Sequence, residues 1–84
     1  MKVVSDGILA IYVYSSEAMQ RHHSPHCHIR STGGEIVVAL PTLVIIVGGK
    51  LSKRAKSLLT ENLDKICDAW NQLNPEITTK HDKK

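Results

Sequence analysis

The stretch His26-Cys27-His28-Ile29-Arg30-Ser31-Thr32-Gly33-Gly34-Glu35-Ile36-Val37-Val38-Ala39-Leu40 decides the fold. A Gly-Gly pair between two runs of β-forming residues is typical of a tight hairpin turn, because glycine accepts the positive φ angles that such turns need. A turn at Gly33-Gly34 also sets the register. The pairs that it predicts are Thr32 with Glu35, Arg30 with Val37 and His28 with Ala39 on one face, and Ser31 with Ile36, Ile29 with Val38 and Cys27 with Leu40 on the other.

The two faces of this hairpin differ in polarity. Successive side chains of a strand point to opposite faces, so Cys27 and Ile29 belong to the apolar face. We expect that face to meet the core. His26, His28 and Arg30 should then lie together on the opposite, exposed surface beside Glu35.

The remaining elements follow from periodicity and from turn residues. Alternating β-formers predict a first strand over residues 7–14, and an apolar run predicts a last strand over 43–47. Ser52 is a good N-cap for an amphipathic helix over 53–73, which Asn74-Pro75 ends. The sequence predicts an α+β fold, with an antiparallel β-sheet of about four strands and one C-terminal α-helix packed across one face. A single domain over 1–75 would precede a flexible tail over 76–84.

The last predicted strand is apolar on both sides, so one of its apolar sides should be exposed. A single helix covers only one face of a sheet. Val44 or Ile46, with Val37, Ala39, Ala10 and Ile8, would then form an apolar strip on the other face. Small monomers rarely expose such a strip, so we expect a homo-oligomer or a small protein partner.

Charge and hydropathy exclude several classes of protein. The net charge of +3 depends on Lys80, Lys83 and Lys84 in the predicted tail, so net charge gives nucleic-acid binding only weak support. The apolar runs are too short to span a bilayer, and no secretory signal is recognisable at the start of the sequence. We therefore expect a cytoplasmic protein without membrane contact, in which Cys27 and Cys67 are reduced.

Histidine is concentrated in residues 21–28, which hold four of the five histidines in the chain. His26 and His28 are two residues apart on a strand, the spacing at which paired imidazoles bind zinc, nickel or manganese. His22 could supply a third ligand, and Tyr12, Arg30 and Glu35 would surround the site. Metal-bound water would make it a hydrolase or nuclease. No Cys-x-x-Cys or His-Glu-x-x-His motif supports a metal, however, and imidazoles that bond loop carbonyls are the structural alternative.

A basic cluster surrounds the start of the predicted helix. Backbone amides at a helix N-terminus attract anions, and cationic side chains nearby would strengthen a phosphate contact. This cluster is the basis of a nucleic-acid alternative, against which stands a merely solvated helix end. Its members are Lys50, Lys53, Arg54 and Lys56.

The order of these pieces resembles a known bacterial family, the domain of unknown function family 4160. The resemblance rests on Tyr14, the motif His22-x-x-Pro25-His26-x-His28, the hairpin, Gly49-Lys50-Leu51 and the late Trp70. Ser24, Cys27 and Arg21 stand where the family has Pro, Phe and often Asp. Family members often lie beside other short genes, as in toxin–antitoxin modules. The resemblance therefore implies a small accessory protein with a protein-binding or regulatory role.

Overall fold

The structure, a computed structural model, describes residues 1–15, 24–75 and 79. Its five strands form one antiparallel sheet in which each strand lies beside its neighbour in sequence. The α+β class is confirmed, but the expected four strands and one helix are corrected to five strands and two helices. The elements are β1 (Lys2–Asp6), β2 (Leu9–Tyr12), β3 (His26–Ser31), β4 (Gly34–Ala39), β5 (Ile45–Val47), α1 (Lys53–Glu61) and α2 (Leu63–Leu73).

The additional strand is β1, which forms a hairpin with β2. Asp6 pairs with Leu9, so the turn consists of Gly7 and Ile8. Gly7 has a φ of 62°, in the left-handed region that favours glycine. The strand predicted over 7–14 is therefore shorter, because its first two residues make this turn.

The central hairpin of β3 and β4 forms as expected, but in a different register. Ser31 pairs with Gly34 and Arg30 with Glu35, so Thr32 and Gly33 make the turn. Gly34 is the first residue of β4 and has a φ of 131°. The predicted pairs were wrong by two positions. The predicted faces survive, because a shift of two residues preserves the alternation of side chains.

Both helices pack on the face of the sheet that carries Cys27 and Ile29, as the polarity of the hairpin indicates. Trp70 is fully buried between the helices and the sheet. Burying this apolar surface is the main source of stability for so short a chain. The buried cluster consists of Leu9, Ile11, Val13, Cys27, Ile29, Val38, Leu40, Ala55, Leu59, Ile66, Cys67, Ala69 and Trp70.

The single predicted helix is broken at Asn62. Its side-chain amide donates to the Leu58 carbonyl at 2.9 Å, in competition with its own backbone N–H, which donates to the same carbonyl at 3.2 Å. Asparagine readily makes such local bonds, which compete with regular helix geometry. The predicted start is confirmed, since the Ser52 hydroxyl accepts from the Ala55 N–H at 3.1 Å.

The predicted apolar strip does not exist as one surface. Val37, at its expected centre, is only 8% exposed. Ile8 is exposed in the β1–β2 turn, three strands away from β5. The other exposed large apolar side chains beyond Met1 cluster at β5, and they are Val44, Ile46 and Val47.

The chain after α2 returns to the body of the domain at two points. The Asn74 side chain donates to the Tyr14 carbonyl at 3.1 Å. Thr79 is buried and exchanges two hydrogen bonds with the Asn71 side chain, at 2.7 and 2.9 Å. The rest of the predicted tail over 76–84 lies outside the described residues. Within the described part of the chain, no helix is both long and apolar enough to cross a membrane.

The two thiols in the core should make stability depend on alkaline pH. Burial, together with the neighbouring Cys67, raises the pKa of Cys27 from 9.0 to about 12. Burial raises the pKa of Cys67 to about 11. The unfolded chain therefore releases thiol protons at lower pH than the native chain. The stability that comes from keeping these thiols neutral is fully present below about pH 9 and is lost as the pH rises above it.

We expect urea unfolding between about pH 8 and pH 10.5 to show this loss, with Cys27 contributing at most about 1.4 kcal/mol per pH unit above its unfolded pKa. Other groups titrate in the same range, so the decisive quantity is the difference in slope between wild type and Cys27→Ala. The variant should lose less stability per pH unit. Equal slopes would contradict the raised pKa.

Candidate functional site

The candidate site is centred on His28, in the middle of β3. Its side chain is only 6% exposed, and Nδ1 lies 2.5 Å from Oε2 of Glu35. Glu35 pairs directly with Arg30, so it is the diagonal neighbour of His28 on the same face of the hairpin. The register observed in the structure therefore brings this carboxylate within reach of the imidazole.

The contact with Glu35 assigns the tautomer of His28. A carboxylate only accepts hydrogen bonds, so Nδ1–H must donate to it. In the neutral ring, the lone pair is then on Nε2. This Nε2 is buried and has no hydrogen-bond partner within 1–15, 24–75 and 79. An unpartnered buried acceptor is costly and calls for an explanation.

His26 adjoins this site at the start of β3. Its Nδ1–H donates to the Ser24 carbonyl at 2.8 Å, which gives it the same tautomer as His28. The centroids of the two imidazole rings are 5.2 Å apart. The Trp70 ring packs against the His26 ring with the centroids 5.1 Å apart.

The prediction that His26 and His28 lie on the surface was wrong, since they are 0% and 5% exposed. Alternation along a strand assigns side chains to faces, but it does not show what covers them. The Tyr14 ring meets the His28 ring edge-on with the centroids 4.9 Å apart, and Trp70 of α2 reaches His26 at the end of the sheet. Cys27 points into the core as predicted.

The three residues predicted to surround the site lie together. Nε of Arg30 is 3.5 Å from Oε1 of Glu35, so this carboxylate contacts both a guanidinium and an imidazole. The Arg30 guanidinium also lies 5.5 Å from the centroid of the Tyr12 ring. Tyr14 stacks on Tyr12 and was missing from the predicted set, although its alternation with Tyr12 along the chain places both on one face.

The predicted third metal ligand, His22, lies outside the described residues. Within the part of the chain that the structure describes, no group of three or more His, Cys, Asp or Glu side chains could hold a metal ion. Of the three predicted metal ligands, the described structure brings two together, His26 and His28.

The basic cluster at the start of α1 is divided. The Arg54 guanidinium donates to both carboxylate oxygens of Asp6 at 3.2 Å, which ties α1 to β1. Lys50 and Lys56 instead line a groove beside β5. Among residues 1–15, 24–75 and 79, neither lysine forms an ion pair. Of the four residues predicted to contact an anion, Lys50 and Lys56 thus lie at one groove, Lys53 lies with Lys56 at a second groove along α1, and Arg54 is paired with Asp6.

A second feature of the surface is the edge of the sheet at β5. This strand pairs with β4 on one side and is the last strand of the sheet. Val44, Ile46 and Val47 are 61%, 42% and 50% exposed. The floor of the adjacent groove is apolar, since Leu43, Ile45 and Leu51 line it.

Comparisons with known proteins identify one family. No curated protein and no solved structure matches the chain. The family model described as Domain of unknown function (DUF4160) matches residues 8–71, a range that includes the central hairpin, β5, α1 and most of α2. This match covers well over half of the chain and confirms the resemblance expected from the sequence. The chain belongs to the DUF4160 family.

Proposed function

We propose that this protein is a protein-binding component whose β5 edge accepts an extended segment of a small partner protein. In a toxin–antitoxin-like module, the segment would belong to the companion protein of the pair. The observation that carries the proposal is the exposed apolar strand at the sheet edge, next to a groove with a basic rim.

An edge strand offers unpaired backbone N–H and C=O groups to an incoming strand. Proteins usually protect such edges with charged side chains, proline or a covering element. The sequence of β5 is Ile45-Ile46-Val47, which contains neither a charged residue nor proline, and within the described part of the chain Val44, Ile46 and Val47 are exposed. Strand addition would cover these side chains and would extend the sheet.

The groove indicates the chemistry of the segment. Apolar side chains of the partner would contact Leu43, Ile45 and Leu51. Lys50 and Lys56 stand at the same groove, and they would attract carboxylates that flank the apolar residues. A segment that alternates apolar and acidic residues satisfies both requirements, since alternate side chains of a strand point the same way.

Selection from a random peptide library displayed on phage tests this proposal. We expect the enriched peptides to alternate apolar and acidic residues. In fluorescence polarisation, Ile46→Lys should weaken their binding by about tenfold or more. A lysine on an edge strand disfavours pairing with an added strand, and its charge would lose water if apolar side chains packed on it. Lys56→Glu should weaken it by a smaller factor, and that loss should shrink as salt is raised.

The matched control is Ile8→Lys, which makes the same change at an exposed isoleucine far from β5. Binding should be unchanged in this variant. Failure to enrich any peptide, or equal losses in the Ile8 and Ile46 variants, would contradict the proposal. Light scattering completes the test. A dimer that Ile46→Lys dissociates, without peptide binding, would make a second copy the occupant and refute the partner segment.

A further inference from the structure

We propose that His26 and His28 bind a divalent transition-metal ion through Nε2, with Glu35 holding the His28 ring in place. This site is separate from the β5 edge and does not depend on the protein-binding proposal. The ion would belong to the class that imidazole nitrogen prefers, with zinc and nickel ahead of manganese.

His28 has the arrangement of a metal-binding histidine. Such residues usually donate the other ring N–H to a carboxylate or to a backbone carbonyl, which fixes the tautomer and makes the ligating nitrogen more basic. Glu35 plays this part for His28. A metal at Nε2 would also account for a buried acceptor that has no hydrogen-bond partner among the described residues.

His26 repeats the arrangement with a backbone carbonyl. Its Nδ1–H donates to Ser24, so the lone pair of the neutral ring is on Nε2. Zinc binds imidazole nitrogen at about 2.0–2.1 Å, and two imidazoles on one tetrahedral ion therefore have ring centroids about 5 Å apart. The observed separation of 5.2 Å fits this geometry.

The local charges are compatible with a cation. The Glu35 carboxylate is close to His28, and a negative charge in the second shell offsets part of the charge of a divalent ion. Arg30 contacts the other oxygen of that carboxylate from the exposed side, with 58% of its side chain accessible. Two protein ligands leave positions for water, so we expect weaker binding than at a closed structural zinc site.

Isothermal titration of chelator-treated protein with zinc chloride tests the site. We expect saturable binding that His28→Gln weakens by about tenfold or more and that Glu35→Gln weakens by about 10–100-fold, the usual effect of losing a second-shell partner. The matched control is His81→Ala, which removes a histidine distant in sequence and should leave zinc binding unchanged.

Two measurements on the wild-type chain guard against variants that fail to fold. Trp70 is the one tryptophan of the chain and contacts the His26 ring, so paramagnetic nickel should quench its fluorescence with the same midpoint as binding. In ¹⁵N spectra of the imidazoles, zinc should shift Nε2 of both His26 and His28. Unmoved His26 and His28 resonances at saturating zinc would overturn the site, as would full binding by a folded His28→Gln variant.

Discussion

Replacing Trp70 with alanine is expected to lower the free energy of unfolding by about 3–5 kcal/mol. Trp70 is the largest fully buried side chain among the described residues. Its removal loses apolar burial and leaves a cavity between α2 and the sheet, next to the His26 ring. A chain of 84 residues has a total stability of only roughly 4–13 kcal/mol, so this loss is a large fraction of the total.

Urea unfolding followed by far-UV circular dichroism measures the effect without a tryptophan signal. Asp68→Ala changes an exposed residue of the same helix and should alter stability by less than about 0.5 kcal/mol. The loss of stability in Trp70→Phe should lie between those of Trp70→Ala and Asp68→Ala, because phenylalanine keeps part of the buried apolar volume. A loss below about 1 kcal/mol in Trp70→Ala would contradict the position of α2 on the sheet.

The second large effect is expected from Gly48→Ala, at the end of β5. Gly48 has a φ of 116°, and an added Cβ would lie 2.9 Å from Cγ1 and 3.2 Å from Cα of Ile36. The backbone atom cannot move without disturbing β4. We expect a loss of about 2 kcal/mol or more, from the strained dihedral and from the clash together.

The adjacent Gly49→Ala is a control that makes the same chemical change one residue later. Its added Cβ would meet no heavy atom within 4 Å, and its φ lies outside the left-handed region. This substitution should be neutral, or stabilising by up to about 1 kcal/mol through a less flexible unfolded chain. Thermal unfolding of the two variants side by side checks the pair. Equal midpoints would show that the β4–β5 packing differs from that described.

The faces of the central hairpin could be predicted because they depend only on the parity of residue numbers. Cys27 is therefore inside, as expected, even though the turn is Thr32-Gly33 instead of Gly33-Gly34. Two adjacent glycines allow either turn. The choice depends on which pairing gives the better cross-strand contacts, such as Arg30 opposite Glu35.

Other elements left weaker signals in the sequence. A glycine at the first position of a two-residue turn is a hairpin signal, so Gly7 would have indicated β1, but this strand has only five residues. The break at Asn62 was hidden for a different reason. Leu59, Leu63 and Ile66 keep their helical spacing across it, so periodicity alone shows one continuous helix.

The sequence predicted which residues belong to the candidate site, but it did not predict that the two histidines are buried. Alternation brought His28, Arg30 and Glu35 to one face, and the structure places them in contact. The burial of His28 and His26 involves Tyr14, two residues after β2, and Trp70 of α2. Contacts between residues so distant in sequence leave no local pattern, since they arise only when the helices and sheet pack together.

The sequential order of the strands also bears on how the chain folds as the ribosome releases it. Each strand pairs with the one made just before it, so the sheet can form from β1 to β5 without waiting for distant segments. Both helices follow the sheet in the chain. Until α2 leaves the ribosome, the nascent sheet displays Ile11, Ile29 and Val38 to solvent, and that interval is when the growing chain is most exposed to aggregation and to chaperones.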